Sequence, residues 1–317
     1  GDVTGAYNGV TTGQNLEDKR SEAELIAEAV EKAKTADCVI LFGGLNKSDY
    51  QDCEGHDRQQ YELPYAQDKL ITALAAANKN FVYVNISGNA VAMPWRDKVP
   101  AIVQGWYLGS EAGEALASVL TGDANPSGKL PFTWVKSLQD VGAHALNTYP
   151  GTWRKEGGSK TEGNIIDEEY KEGIYVGYRW ADREKQRPVF AFGHGLSYTQ
   201  FAISNLRADK ASMTAADSIT FTVQVKNIGQ RAGSETVQLY VHDAKASVDR
   251  PLKELKGFSK VSLQPGESKD VSITLGKDAL SFYDEASATW KAEPGQFEAW
   301  VGNASDNLKL RKSFQLK

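Results

Sequence analysis

Cysteine is nearly absent. Cys38 and Cys53 are the two in 317 residues, too few for a disulfide framework and without the spacing of a metal site, although a single bridge between them stays open. Histidine is as scarce: His56, His144, His194 and His242 are scattered and belong to no zinc pattern, so neither a metal nor a cofactor is expected. Basic residues do not dominate either. The 36 Lys and Arg stand against 41 Asp and Glu, for a formal net charge of -5, which leaves a nucleic-acid partner or an anionic membrane surface without electrostatic support. No apolar run approaches the roughly 18 residues of a membrane span, because Lys, Asp or Asn interrupts each one. A signal-like segment is also missing after Gly1, from which a mature or truncated chain is expected.

What is present is enough chain for two cores, since single cores stop growing near ~200 residues. From Ser21 to Ala36 the residues Leu25, Ile26, Ala29, Val30 and Ala33 form a helical stripe, and Ser21 with Glu24 has the form of a capping box. Residues 38–43 (CVILFG) read as a parallel strand covered on both faces. Helices near 65–78 and 110–121, strands near 81–86, 101–105 and 129–134, and a helix-ending Gly122 continue the alternation. Such alternation predicts an open, mostly parallel α/β sandwich.

After about residue 200 the period shortens to two. Ile219, Phe221, Val223 and Val225 alternate with polar residues, as do Val237, Leu239 and Val241, and further strands are expected near 269–274 and 296–301. About seven strands with Pro-Gly turns fit an all-β sandwich of the fibronectin type III or immunoglobulin kind. The boundaries are placed at 1–146 for the α/β domain, 147–198 for an ordered linker rich in Tyr and Trp, and 199–317 for the β-sandwich.

In open α/β sheets, ligands gather beyond the carboxyl ends of strands. The segment leaving the 38–43 strand is long and polar: residues 44–62 read GLNKSDYQDCEGHDRQQYE, with carboxyls at Asp49, Asp52, Glu54 and Asp57. A carboxyl at such a place becomes a general acid or base when a neighbouring surface strips its water. The residue types alone do not choose among the four, and a solvated acidic loop with local ion pairs is the plainer alternative. Trp95 and Trp106 are read as core aromatics ahead of sugar-stacking platforms. Acceptor patterns for N-glycosylation occur at Asn46, Asn85 and Asn303, of which Asn85 falls in a predicted buried strand.

The string EGHDR (54–58), followed by ELP (62–64) and Gln67, resembles the signature of family 3 glycoside hydrolases. The resemblance extends through SGNAVAMPW (87–95), PAIVQGWYLGSEAGEALASVLTGDANPSGKLPFTW (100–134), EGIYVGYRW (172–180), FAFGHGLSYTQF (190–201) and LKELKGFSKVSLQPGES (252–268). Several motifs in one order, over nearly the whole chain, are far more specific than any single one.

The resemblance implies a retaining β-glucosidase-type mechanism with Glu54 as the general acid/base. Its partner carboxylate, about 5 to 5.5 Å away during catalysis, would be an Asp on a (β/α) barrel. No barrel occurs in these residues, and the α/β sandwich is expected to lack its usual first strand, because residues 1–20 hold no strong apolar run. The chain alone is therefore expected to be inactive, with the nucleophile on another domain or chain. The implied substrate is a β-linked oligosaccharide or glucoside, and the expected location is periplasmic or secreted. Asp49, Tyr50, Gln51, Asp52 and His56 are the candidate substrate contacts, and Asp57 and Arg58 are expected to pin the loop. The competing function is a non-catalytic carbohydrate-binding or adhesive module.

Overall fold

Ser21 Oγ accepts from the Glu24 amide at 3.3 Å while the Glu24 carboxylate accepts from the Ser21 amide at 2.7 Å, the reciprocal capping box anticipated above. It opens α1 (Glu22–Thr35), which buries Leu25 and Ala33. At the other end Asn78 Nδ2 donates to Ala33 O at 2.9 Å and Ala36 O at 2.8 Å, satisfying carbonyls that a helix terminus otherwise leaves unpaired. The computed structural model describes residues 19–46, 51–54, 58, 60–154 and 165–317.

Strand β1 (Val39–Gly44), α2 (Gln67–Ala77), β2 (Phe81–Ile86), β3 (Ala101–Gln104) and α3 (Ala112–Thr121) follow in order. The sheet order is β1-β2-β3 and every pairing is parallel, with Val39 opposite Phe81 and Val82 opposite Ala101. Helix α2 sets Leu70, Ile71 and Leu74 into the core with Phe81 and Tyr83. Gly122, with φ +85°, closes α3 by donating to Val119 O at 3.1 Å, the expected role of a glycine past a helix end.

One expectation for β1 fails. Ile40 and Phe42 are 45% and 53% exposed, so among the described residues the strand is an edge strand covered on the α2 side and open on the other. A continuous apolar run predicts burial on both faces whatever covers them; here the run lies at a sheet edge, where the second cover is not among the described residues.

The chain divides into two compact units, Gly1–Ala117 with Val135–Leu138, and Ser118–Trp134 with Gln139–Lys317. In the second unit the strand expected at 129–134 is reduced to a single antiparallel bridge between Trp134 and Phe190. Leu130 and Trp134 still bond to His194 O and Phe190 O, both at 2.8 Å. Pro131, whose ring fixes φ and which has no N–H, sits between them and disfavours an interior strand there.

Two short elements, α4 (Gly142–Ala145) and the pair β4 (Thr152–Trp153) with β5 (Ile166–Asp167), come next. The pair is clasped by Arg154, whose Nε and Nη2 reach the Asp167 carboxylate at 2.8 and 2.7 Å. A turn and a half of helix, α5 (Tyr178–Arg183), appears where no helical period was read. Six residues are too few to show one.

The all-β region holds β6 (Phe201–Ala208), β7 (Ser212–Met213), β8 (Ser218–Asn227), β9 (Gly233–Asp243), β10 (Glu254–Leu263), β11 (Ser268–Gly276), β12 (Phe282–Asp284), β13 (Thr289–Lys291), β14 (Gly295–Gly302) and β15 (Leu310–Leu316). One sheet runs β10-β9-β14-β15-β7 and the other β11-β8-β6, antiparallel except where β15 meets β7. The alternation seen in the sequence is the inward face: Ile219, Phe221, Val223 and Val225 pack with Val237, Leu239, Phe297 and Phe314. The fold class is thus a parallel α/β layer followed by an antiparallel, all-β sandwich.

Candidate functional site at the ends of the parallel strands

The polar loop is rooted where β1 stops. Gln67, at the start of α2, accepts from the Gly44 amide at 2.7 Å and donates to Gly44 O at 2.9 Å and Pro64 O at 3.2 Å. Gly44 has φ +134° and runs so close to the Ile86 backbone that a Cβ would collide with the Ile86 carbonyl. The chain can leave β1 at this angle only through glycine.

Beneath the loop lies a buried polar network at the ends of β2 and β3. Tyr83 Oη donates to Asn85 Oδ1 at 3.1 Å, and Asn85 Nδ2 donates to Ser87 Oγ at 2.8 Å and Gln104 Oε1 at 2.6 Å. Ser87 Oγ passes a 2.7 Å bond to Asn89 O, and Gln104 Nε2 donates to Ser87 O at 3.0 Å. Every member is paired, so the network fixes the Ser87–Asn89 turn instead of weakening it. Asn85 is fully buried, which rules it out as a glycosylation acceptor in the folded protein.

Asp52 joins the loop to that platform. Its carboxylate accepts from the Gly88 amide at 2.8 Å, from Asn89 Nδ2 at 2.9 Å and from Tyr107 Oη at 2.8 Å. Its own amide donates to Asn46 O at 3.0 Å. Burial, reinforced by the bond to Asp52, pushes the Tyr107 phenol far above its usual range, so it remains a donor at any physiological pH. Gln51 is half-buried; its side chain accepts from the Asn46 amide at 3.1 Å and donates to Tyr65 Oη at 3.4 Å.

Glu54 is exposed, two residues past Asp52. Arg58 turns inward: Nη2 donates to Ala90 O at 2.5 Å, the guanidinium stands 5.7 Å from the Tyr61 ring centre, and Nη1 has no hydrogen-bond partner among the described residues. Burial pulls its pKa down against the fields of Asp52 and Tyr61. The candidate residues Asp49, Tyr50, His56 and Asp57 lie outside the described residues. No disulfide joins Cys38 and Cys53, and Cys38 is exposed.

Trp95 is buried, but Trp106 lines a recess of about 240 Å³ with Ile86, Tyr107, Leu108 and Leu116. Gly88, Asn89 and Tyr107 were not singled out from the sequence. Their signal was positional: each follows directly on the end of β2 or β3, at the same edge of the sheet as the acidic loop.

Residues 1–178 match the glycosyl hydrolase family 3 C-terminal domain and residues 235–305 the fibronectin type III-like domain. Beta-glucosidase BoGH3A of Bacteroides ovatus is 49% identical over 290 residues, covering 91% of this chain and 37% of that protein. Thermostable beta-glucosidase B of Acetivibrio thermocellus is 42% identical over 304 residues, covering 96% of this chain and 38% of that protein. A solved beta-glucosidase of Kluyveromyces marxianus in complex with glucose superposes with a TM-score of 0.82 at 39% identity, over 95% of this chain and 34% of that one. DesR, a beta-glucosidase of Streptomyces venezuelae in complex with D-glucose, gives 0.83 at 36% identity over 93% and 36%. The chain spans little more than a third of the length of these relatives.

Proposed function

Because the chain belongs to glycosyl hydrolase family 3, whose C-terminal domain it carries together with a fibronectin type III-like domain, we propose that it supplies the general acid/base of a retaining exo-β-glucosidase. In this reading the Glu54 carboxyl gives its proton to the glycosidic oxygen as that oxygen leaves, while a carboxylate on a domain beyond this chain bonds to the anomeric carbon. The Glu54 carboxylate then takes a proton from water, whose oxygen displaces the enzyme carboxylate and frees the sugar. The substrate is a terminal, non-reducing β-linked glucose.

The observation that supports it is the position of Glu54: solvent-exposed, on a loop tied by its neighbour Asp52 to the carboxyl ends of the parallel strands. The names of the relatives supply the sugar and the anomer.

Replacing Glu54 by Ala in the complete protein tests the role. The kcat/KM of alkyl glucosides, which need a proton on the departing oxygen, should fall by roughly 10²- to 10⁴-fold and that of nitrophenyl glucosides far less, since kcat/KM leaves out the later base step that both substrates share. Equal losses on both kinds would remove the acid role. The isolated chain, with half a site, should hydrolyse neither.

A further inference from the structure

Residues 51–54 belong to no helix or strand, so no ladder holds Glu54 in place. We propose that Asp52, held by Tyr107, is the positioning residue for Glu54: it fastens the loop to the ends of all three parallel strands and so fixes the point from which the proton is delivered. This inference rests on the acid/base reading of Glu54.

The fastening is complete across the sheet. The Asp52 amide reaches Asn46 O, just past β1; its carboxylate receives Gly88 and Asn89, just past β2, and Tyr107, just past β3. Bonds from neutral donors to a carboxylate are stronger than neutral pairs, and three of them converge here. The anchors do not drift, because Ser87 is held by the side-chain amides of buried Asn85 and half-buried Gln104, and Ser87 Oγ in turn holds Asn89 O. Gly88 is part of the fit: a Cβ on it would press against the Tyr107 ring at 3.1 Å and Asp52 Oδ2 at 3.3 Å, in the narrow space where the two side chains meet.

Tyr107 contributes one group, its Oη–H, and keeps it at all working pH values because its phenol does not ionise there. Removing that hydroxyl frees one side of the Asp52 carboxylate without opening a cavity. The loop then gains freedom at the second residue before Glu54, and proton delivery suffers while sugar binding elsewhere does not. Displacement of a reacting group by ~1 Å is enough to cost as much as 10²-fold in rate.

The test uses the complete protein with Tyr107→Phe, Asp52→Asn and Glu54→Gln, each assayed on an alkyl β-glucoside and a dinitrophenyl β-glucoside. Tyr107→Phe should lower kcat/KM on the alkyl glucoside about tenfold, through kcat, and kcat/KM on the dinitrophenyl glucoside less than about threefold. Asp52→Asn should give the same split, enlarged. Losses equal on the two substrates, or no loss on the alkyl glucoside, would overturn the positioning role. If Asp52→Asn fails to fold, Tyr107→Phe decides, since it deletes a single oxygen and circular dichroism reports its integrity. Glu54→Gln separates the two ideas. A leaving-group split there but not in Tyr107→Phe defeats positioning alone; no split in Glu54→Gln defeats the acid reading and positioning with it.

Discussion

Trp95 Nε1 donates a 2.6 Å hydrogen bond to the carboxylate of Asp68, on the first turn of α2. The indole is buried and meets the Tyr83 ring edge-on at 4.9 Å, so the pair ties α2 to the segment after β2. The carboxyl is nonetheless uncomfortable. Burial pushes its pKa up, the Trp95 bond pulls it partly back, and Glu62 adds to the rise.

The folded protein therefore holds this proton more tightly than the unfolded chain, where Asp titrates near ~3.9. Above the raised value the ionised group subtracts from stability, and that subtraction vanishes as pH falls through it. Asp68→Asn keeps an acceptor for the indole without the charge. The variant should melt above the parent at pH 7, and the difference should shrink toward pH 4. A difference that is the same at both pH values would show that the charge is not the cause.

Gln67 offers a second handle, one that concerns the root of the loop. Its amide takes both the donor and the acceptor of Gly44, in a part-buried setting where water replaces them poorly. Gln67→Leu fills a similar volume and leaves both backbone groups unpaired. An expected loss of about 2 to 3 kcal/mol follows from two orphaned groups. Denaturant titration measures it; a loss below about 0.5 kcal/mol would mean that solvent reaches Gly44 freely.

These two residues show what could be read before any coordinates. Ser21 with Glu24, the Leu70, Ile71 and Leu74 stripe, and the strand alternation at 219–225 are local patterns, and local patterns survive into the fold. Gln67 was noticed through its place in a family motif, but its grip on Gly44 spans 23 positions of sequence and has no periodic trace. The same holds for Asp52 with Tyr107, 55 positions apart. The face of β1 that is open among the described residues has no trace in the sequence, because an apolar run carries no information about which neighbour covers it. Pro131 was a legible warning against a strand at 129–134, since its missing N–H is a property of the residue alone.

In the second unit the charge cluster around Glu254 should behave opposite to Asp68. Arg250 bonds Glu254 at 2.6 Å and Asp243 at 3.2 Å, while Arg179 and Lys256 approach Glu254 at 3.0 and 3.4 Å. Burial alone would raise the Glu254 pKa, but Lys256, Arg250 and Arg179 together outweigh it and the net displacement is downward. A lowered carboxyl adds stability above its unfolded value, ~4.3, and loses that contribution as pH falls through the folded one. Glu254→Gln leaves three cations facing a neutral amide in a largely buried setting, with Arg250 keeping Asp243. A loss of about 3 kcal/mol at pH 7 is expected, the usual consequence of breaking a buried pair from one side. The gap between the two proteins should close on acidification below pH ~4, because protonation removes from the parent the charge that substitution removed from the variant. If the gap instead stays constant down to acid unfolding, Glu254 serves as a packing group and its charge is immaterial.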